Sequence, residues 1–244
     1  MRWLLLIFAL LFLAPVAVAL VRAGGGEHWS RARSDSAGLA PDPATTEEAV
    51  IQTYCAASWG LKGAVADHCW IAVKTKGAPV YTRYDVVGWA ARRGGEAIRV
   101  VQRPDPDGRW AGNEPHLVLD RRGEGVEPLI EDIENAIRRY PYPRSYRIWP
   151  GPNSNSFVAW VGREVPALGL ELPPRAFGKD YLGGRRIWAR APSGTGVQLS
   201  LFGLLSVIIA REEGFEISIG GFVVGFDPFD IAVKVPGLGR FGWR

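Results

Sequence analysis

Apolar and polar positions along the chain alternate between two periods. The first residues are apolar without a break, from Trp3 to Leu13, behind a single Arg2. A Gly-, Ser-, Arg- and Pro-rich stretch without periodicity follows, from Ala23 to Asp42, and reads as a linker. Thr45-x-x-Glu48 has the form of a capping box, which predicts a helix from about Thr46 to Ser58, stopped at Gly60. Alternation then predicts strands over Trp70–Thr75 (led by His68), Val80–Val87 and Ala97–Gln102, and a short one over His116–Leu119. Pro104–Pro115 reads as a loop. Leu129, Ile130, Ile133 and Ile137 lie on one face of a helix predicted from Pro128 to Arg139, which Tyr140-Pro141-Tyr142-Pro143 ends. A strand over Tyr146–Trp149 and a helix opening after Asn153 come next. Beyond Ser193 the segments Val197–Ile209, Phe215–Val224 and Asp230–Val235 are rich in β-branched and aromatic residues and read as a β-meander.

The expected fold class is therefore α+β, with an antiparallel sheet and a C-terminal β-rich extension. Residues 1–23 form a signal peptide or N-terminal membrane anchor, 24–44 a linker, 45–192 the α+β domain and 193–244 the extension. Pro15 and Ala17-Val18-Ala19 have the grammar of a cleavage site, whereas counting the apolar run on to Val21 gives a length that spans a bilayer. Either way the remainder is exported, as a periplasmic or an inner-membrane-anchored protein, with membrane association through the N-terminal segment.

The net charge of +4 rests mostly on arginine, in pairs at 92–93, 121–122, 138–139 and 185–186. These pairs are scattered among acidic residues, so no nucleic-acid partner is expected. The ten tryptophans fit either a large core or interfacial contacts. Cys55 and Cys69, the two cysteines, have neither zinc nor CxxC spacing. Export permits a disulfide, but sequence alone does not say whether they approach within reach. No metal-ligand or phosphate-loop pattern occurs, Asp105-Pro106-Asp107-Gly108 reads as a turn, and no cofactor is expected.

The chemistry-bearing stretch is Gly151-Pro152-Asn153-Ser154-Asn155-Ser156-Phe157-Val158. A helix start brings free N–H groups, a dipole and a hydroxyl together, which suits a nucleophile and an oxyanion. In His68-Cys69-Trp70-Ile71-Ala72-Val73, period two places Cys69, Ile71 and Val73 on the core face and His68, Trp70 and Ala72 on the other, more open one. His116 begins another strand, and His28 lies in the linker.

This order resembles the circularly permuted papain-like group, which includes lecithin:retinol acyltransferase-like and some NlpC-like hydrolases. There a strand-leading His precedes an Asn-Cys-x-x-Phe-Val helix start carrying the nucleophile. Here Asn153-Ser154-x-x-Phe157-Val158 matches, with Ser154 in place of the cysteine. Trp149-Pro150-Gly151-Pro152-Asn153-Ser154-Asn155 also resembles the signature of an uncharacterised bacterial family of envelope proteins, domain of unknown function 3750. The resemblance implies a papain-like domain that hydrolyses or transfers at an amide or ester of a cell-wall peptide or a lipid. Ser154 would be the nucleophile and His68 the base. His116 would orient the base, with Asp67, Asp85 and Tyr84 as further candidates. Backbone N–H groups near Ser154 would hold the oxyanion, and Asn153, Asn155, Trp70 and Trp149 would line the site. A hydroxyl is far less acidic than a thiol, so Ser154 needs an active base and an orienter. The alternative is a catalytically silent envelope protein that uses the cleft or a Trp-rich surface for binding.

Overall fold

The computed structural model describes residues 2, 3, 6, 9–22 and 32–242. His28 and residues 24–31 of the predicted linker lie outside these residues. In the apolar N-terminal segment a π-helical turn, Ala9–Leu13, runs into helix α1, Ala14–Arg22. Among the described residues no helix is long and apolar enough to cross a membrane.

Five antiparallel strands form the first sheet: β1 (Val50–Ala57), β2 (Asp67–Lys74), β3 (Tyr81–Val86), β4 (Ile98–Arg103) and β5 (Pro115–Arg122), in the order β4-β3-β2-β1-β5. Between β3 and β4 a short helix, α2, covers Gly88–Arg92. Helices α3 (Val126–Arg138) and α4 (Ser154–Glu164) pack on one face of the sheet. Their apolar stripes close over Cys69, Ile71 and Val73, the core face that period two assigns. The opposite face is not open. Val50, Tyr54, Ala56, Trp70, Ala72 and Tyr81 form a second buried cluster beneath Ala40 and Trp110. Asp107 holds this cover in place: one carboxylate oxygen accepts from Ser36 Oγ (2.8 Å), the other from the backbone N–H groups of Leu39 (2.6 Å) and Ala40 (3.2 Å). Residues 32–42 are thus a docked strap, not the linker that their composition suggests.

Burial on both faces explains the main error of the sequence reading. The helix expected over Thr46–Ser58 is instead the central strand β1. Every residue from Val50 to Ala56 is buried, so no alternation survives to mark a strand. The Tyr146–Trp149 segment is irregular rather than a strand. The predicted strands 80–87 and 97–102 and the helices at 128–139 and after Asn153 are found with small shifts at their ends.

The change of helix to strand brings the cysteines together. Cys55 stands opposite Cys69 in the β1–β2 register, and the two form a disulfide.

The C-terminal region is a seven-stranded meander in the order β12-β11-β10-β9-β8-β7-β6. It begins at β6 (Trp188–Arg190), a few residues before the composition changes. Val197–Ile209 divides into β7 (Gly196–Leu201) and β8 (Leu205–Ala210), and Phe215–Val224 divides into β9 (Gly214–Ile219) and β10 (Phe222–Asp227). Strands β11 (Ala232–Val235) and β12 (Gly239–Phe241) complete it. The face of this sheet toward the first domain is polar. Glu216 lies between Lys179 Nζ (2.7 Å) and Lys234 Nζ (2.6 Å), and Lys234 also reaches Glu171 (2.7 Å). Burial opposes ionisation of Glu216, but the two ammonium groups outweigh it and lower its pKa.

Two expectations follow. Denatured but unreduced protein should show no reactive thiol. Replacing Cys55 and Cys69 by Ala should lower unfolding stability by about 3 kcal/mol, measured by chemical denaturation, because the unfolded chain regains the freedom of a 14-residue loop. Glu216→Gln should cost about 3–5 kcal/mol in the same measurement, since two buried ammonium groups lose their shared partner; a loss below 1 kcal/mol would show that the network is solvated.

Candidate functional site

The start of α4 is built by its own side chains. Asn153 is the N-cap: its Oδ1 accepts from the N–H groups of Asn155 and Ser156 (3.0 Å each), and Ser156 Oγ accepts from the Asn153 N–H (2.8 Å). Asn153 Nδ2 donates to the carbonyls of Ile148 (2.9 Å) and Phe177 (3.0 Å). This close approach needs Gly178, at φ +93°, where a Cβ would collide with the Asn153 amide.

Asn155 ties the helix start to β2. Its Oδ1 accepts from the Cys69 N–H (3.0 Å), and its Nδ2 donates to the carbonyls of Asp67 and Phe177 (2.8 Å each). The two β2 residues that it grips flank His68. Ser154, immediately before Asn155, therefore opens onto the same cleft as His68, a space of about 490 Å³. Ser154 Oγ lies 3.4 Å from Asn155 Oδ1. Capping consumes the N–H groups of Asn155 and Ser156, whereas that of Ser154 has no acceptor among the described residues.

His68 is buried and held from three sides. Its Nε2 lies 2.9 Å from Asp85 Oδ1 on β3. Its ring stacks on Trp110 at 3.7 Å between centroids, nearly parallel, and tilts against Trp70 at 5.9 Å. Asp85 in turn accepts from Arg83 Nε through Oδ2 (2.7 Å). The Arg83 guanidinium lies over the Trp70 ring at 3.9 Å and shares the Pro106 carbonyl with Trp70 Nε1. Burial works against ionisation of Asp85, but Arg83 and His68 overcome it and hold the carboxyl well below the usual carboxylate range. Burial pushes His68 below the ordinary imidazole range; the Asp85 hydrogen bond opposes this and Arg83 adds to it. A neutral imidazole that donates from Nε2 to an anionic Asp85 keeps Nδ1 as its acceptor.

Of the residues singled out from sequence, His68, Ser154, Asn153, Asn155 and Trp149 line this one cleft. Trp70 does not line it; it supports His68 and Arg83 from the second buried cluster, and Trp110 takes the lining place. His116 is not near His68. It pairs with Cys55 across β1–β5, which places it on the face opposite the Ala56–His68 pair. It lies exposed beside Pro173, Pro174 and Arg175 in a different depression. Asp67 is engaged by Arg175 (3.0 Å), and Tyr84 donates to Glu134 (3.0 Å) on the helix side of the sheet. The carboxylate that the imidazole meets is Asp85. Period two supplies a signal for it: in the β2–β3 register Ala72 faces Arg83, so Asp85 shares a face with Trp70 and His68. Sequence reasoning missed Arg83, Trp110 and the remaining walls of the cleft, Trp59, Trp89 and Tyr146. Among the described residues no group of His, Cys, Asp and Glu could hold a metal ion.

Searches of curated proteins and of solved structures found no match. Residues 48–181, more than half of the chain and the part that supplies all of the cleft's lining but Gly220, match the family described as a protein of unknown function (DUF3750), and the chain belongs to that family.

Proposed function

We propose that this cleft hydrolyses or transfers an acyl group at an amide or ester bond, with Ser154 as nucleophile, His68 as base and Asp85 as the orienting carboxylate. The observation that carries the reading is that Ser154 and His68 line one cleft while a buried Asp85 engages Nε2 of the imidazole. His68 Nδ1 takes the hydroxyl proton as Ser154 Oγ bonds to the carbonyl carbon. The bond to the leaving alcohol or amine breaks, and the imidazolium returns its proton to that group. Water, or an acceptor alcohol or amine, then repeats the sequence on the acyl-enzyme. The uncommitted Ser154 N–H faces the developing oxyanion. Trp59, Trp89, Trp110 and Trp149 suit an apolar acyl portion, and Lys62 and Arg92 at the rim suit an anionic one. The substrate class is accordingly a lipid or a cell-wall peptide. The resemblance of the Asn153–Val158 stretch to permuted papain-like enzymes supports the same assignment of roles.

Ser154→Ala should abolish turnover of activated esters such as p-nitrophenyl acyl esters, while stability falls by no more than about 1 kcal/mol because the Asn153 cap is untouched. His68→Ala should be equally damaging to rate. Ser154→Cys should react with iodoacetamide faster, at neutral pH, than an exposed thiol of ordinary pKa of about 8.5. An introduced thiol no faster than that reference refutes nucleophile activation and leaves the cleft as a binding site.

The lowered pKa of His68 has a stability consequence. Below about pH 6.5 the unfolded chain binds a proton that the folded His68 refuses. The stability present above that pH is therefore lost progressively as pH falls toward the folded value. Denaturation midpoints should decline between about pH 7 and 5. His68→Gln should flatten the decline, the remainder belonging to His116, whose pKa is also lowered because the protein around it desolvates part of its ring although its edge is exposed. Unchanged slopes in the variant would contradict a neutral, buried His68.

A further inference from the structure

The C-terminal sheet is inside out. One row across its register, Val197–Ile209–Phe215–Phe226–Val233–Phe241, consists of large apolar side chains, each 44–58% exposed. The neighbouring row, Gln198–Ile208–Glu216–Gly225–Lys234–Arg240, carries the charges and faces inward. Sheets ordinarily bury the apolar face and wet the polar one. Leu199 and Leu201, also exposed, extend the apolar area on one side, and a contiguous apolar face of this kind marks an interaction surface.

Three features identify the occupant. First, the N-terminal apolar segment adjoins one end of this sheet: the turn Ala9–Leu13 packs against β10, helix α1 approaches Gly237 in the β11–β12 turn, and Leu10 and Leu13 are exposed. Second, the β6 edge pairs an outward Trp188, 65% exposed, with an outward Arg190, and exposed Arg185 and Arg186 lie just before it. An indole among arginines beside an apolar surface is the chemistry of a membrane–water interface bearing phosphate. Third, no outward position of the seven strands is acidic, so a second copy laid on this face offers no carboxylate to that edge.

We propose that the outer face of the C-terminal sheet lies flat on an anionic lipid bilayer, its side chains entering the acyl region while every inner strand keeps its backbone hydrogen bonds within the sheet. The N-terminal segment enters the same layer. The cleft opens at the same end of the sheet as this segment: Gly220, in the β9–β10 turn, lines it.

The test uses the full chain with vesicles of phosphatidylcholine, with or without phosphatidylglycerol, carrying a diazirine-tagged lipid. After photolysis, mass spectrometry should find label in peptides covering residues 196–219, more with phosphatidylglycerol present. Leu199→Asp combined with Ile209→Asp should reduce that label at least about tenfold, since each carboxylate drawn into hydrocarbon costs a factor of ten or more. Both positions are exposed, so folding should survive, and circular dichroism checks it. If the variant does not fold, the wild-type label map decides by itself. Label confined to the N-terminal segment, or absent altogether, overturns the proposal. So does an unlabelled sheet in a chain that sediments as a dimer and becomes a monomer in the double variant, which would make the face an interface between copies.

Discussion

The Asn155 amide is the contact on which the candidate site depends. It is buried, and its three short hydrogen bonds join helix α4, strand β2 and the Phe177 loop at one point. The backbone groups that it satisfies belong to Asp67 and Cys69, so it fixes the chain on both sides of His68. A hydroxyl at the neighbouring position is then set by the helix start and an imidazole by the strand end, with little freedom between them. Burial makes the arrangement cooperative: each of these backbone groups would cost free energy if left unpaired. The disulfide, one residue beyond His68, braces β2 against β1 from the core side.

Behind the imidazole the charges alternate. His68, Asp85, Arg83 and the Trp70 ring form a closed cluster, since Trp70 touches both the guanidinium and the imidazole, and the Pro106 carbonyl accepts from Arg83 and Trp70. Arg83 matters because a lone buried carboxylate would tend to take up a proton, or draw one onto His68. With the guanidinium in place the aspartate stays ionised and the histidine stays neutral. The strap at residues 32–42 and the loop carrying Trp110 cover this cluster. The second sheet uses the same economy in another place: its charged residues neutralise one another against the first domain, which frees its apolar residues to face outward.

Much of the architecture was legible. The amphipathic stripe at Leu129, Ile130, Ile133 and Ile137 marks α3, and the Asn-Ser cluster marks the start of α4, because both are local signals. The chain near Thr46–Ser58 was misread because a fully buried strand has no polar face, and a capping-box pattern then dominates. The C-terminal run was divided too coarsely. Phe202-Gly203-Leu204 and Gly220-Gly221 are short turns set in apolar surroundings, and an exposed apolar face removes the alternation of environment that reveals a turn. His116 had the right residue type for the orienting role, but a one-residue difference of parity across β1 put it on the wrong face.

The sequence by itself determined the elements whose cause is local: a helix start capped by Asn153 with a hydroxyl beside it, strand-leading His68, and the division into an α+β domain and a β-rich extension. It also determined which residues share a strand face, since period two follows from backbone geometry alone. Tertiary structure decided which faces are covered, which elements adjoin and which carboxylate meets the histidine. Those outcomes depend on register and on distant segments, such as the strap that Asp107 anchors and the loop that brings in Trp110. No short window of sequence contains both halves of such a contact, so only the folded chain specifies them.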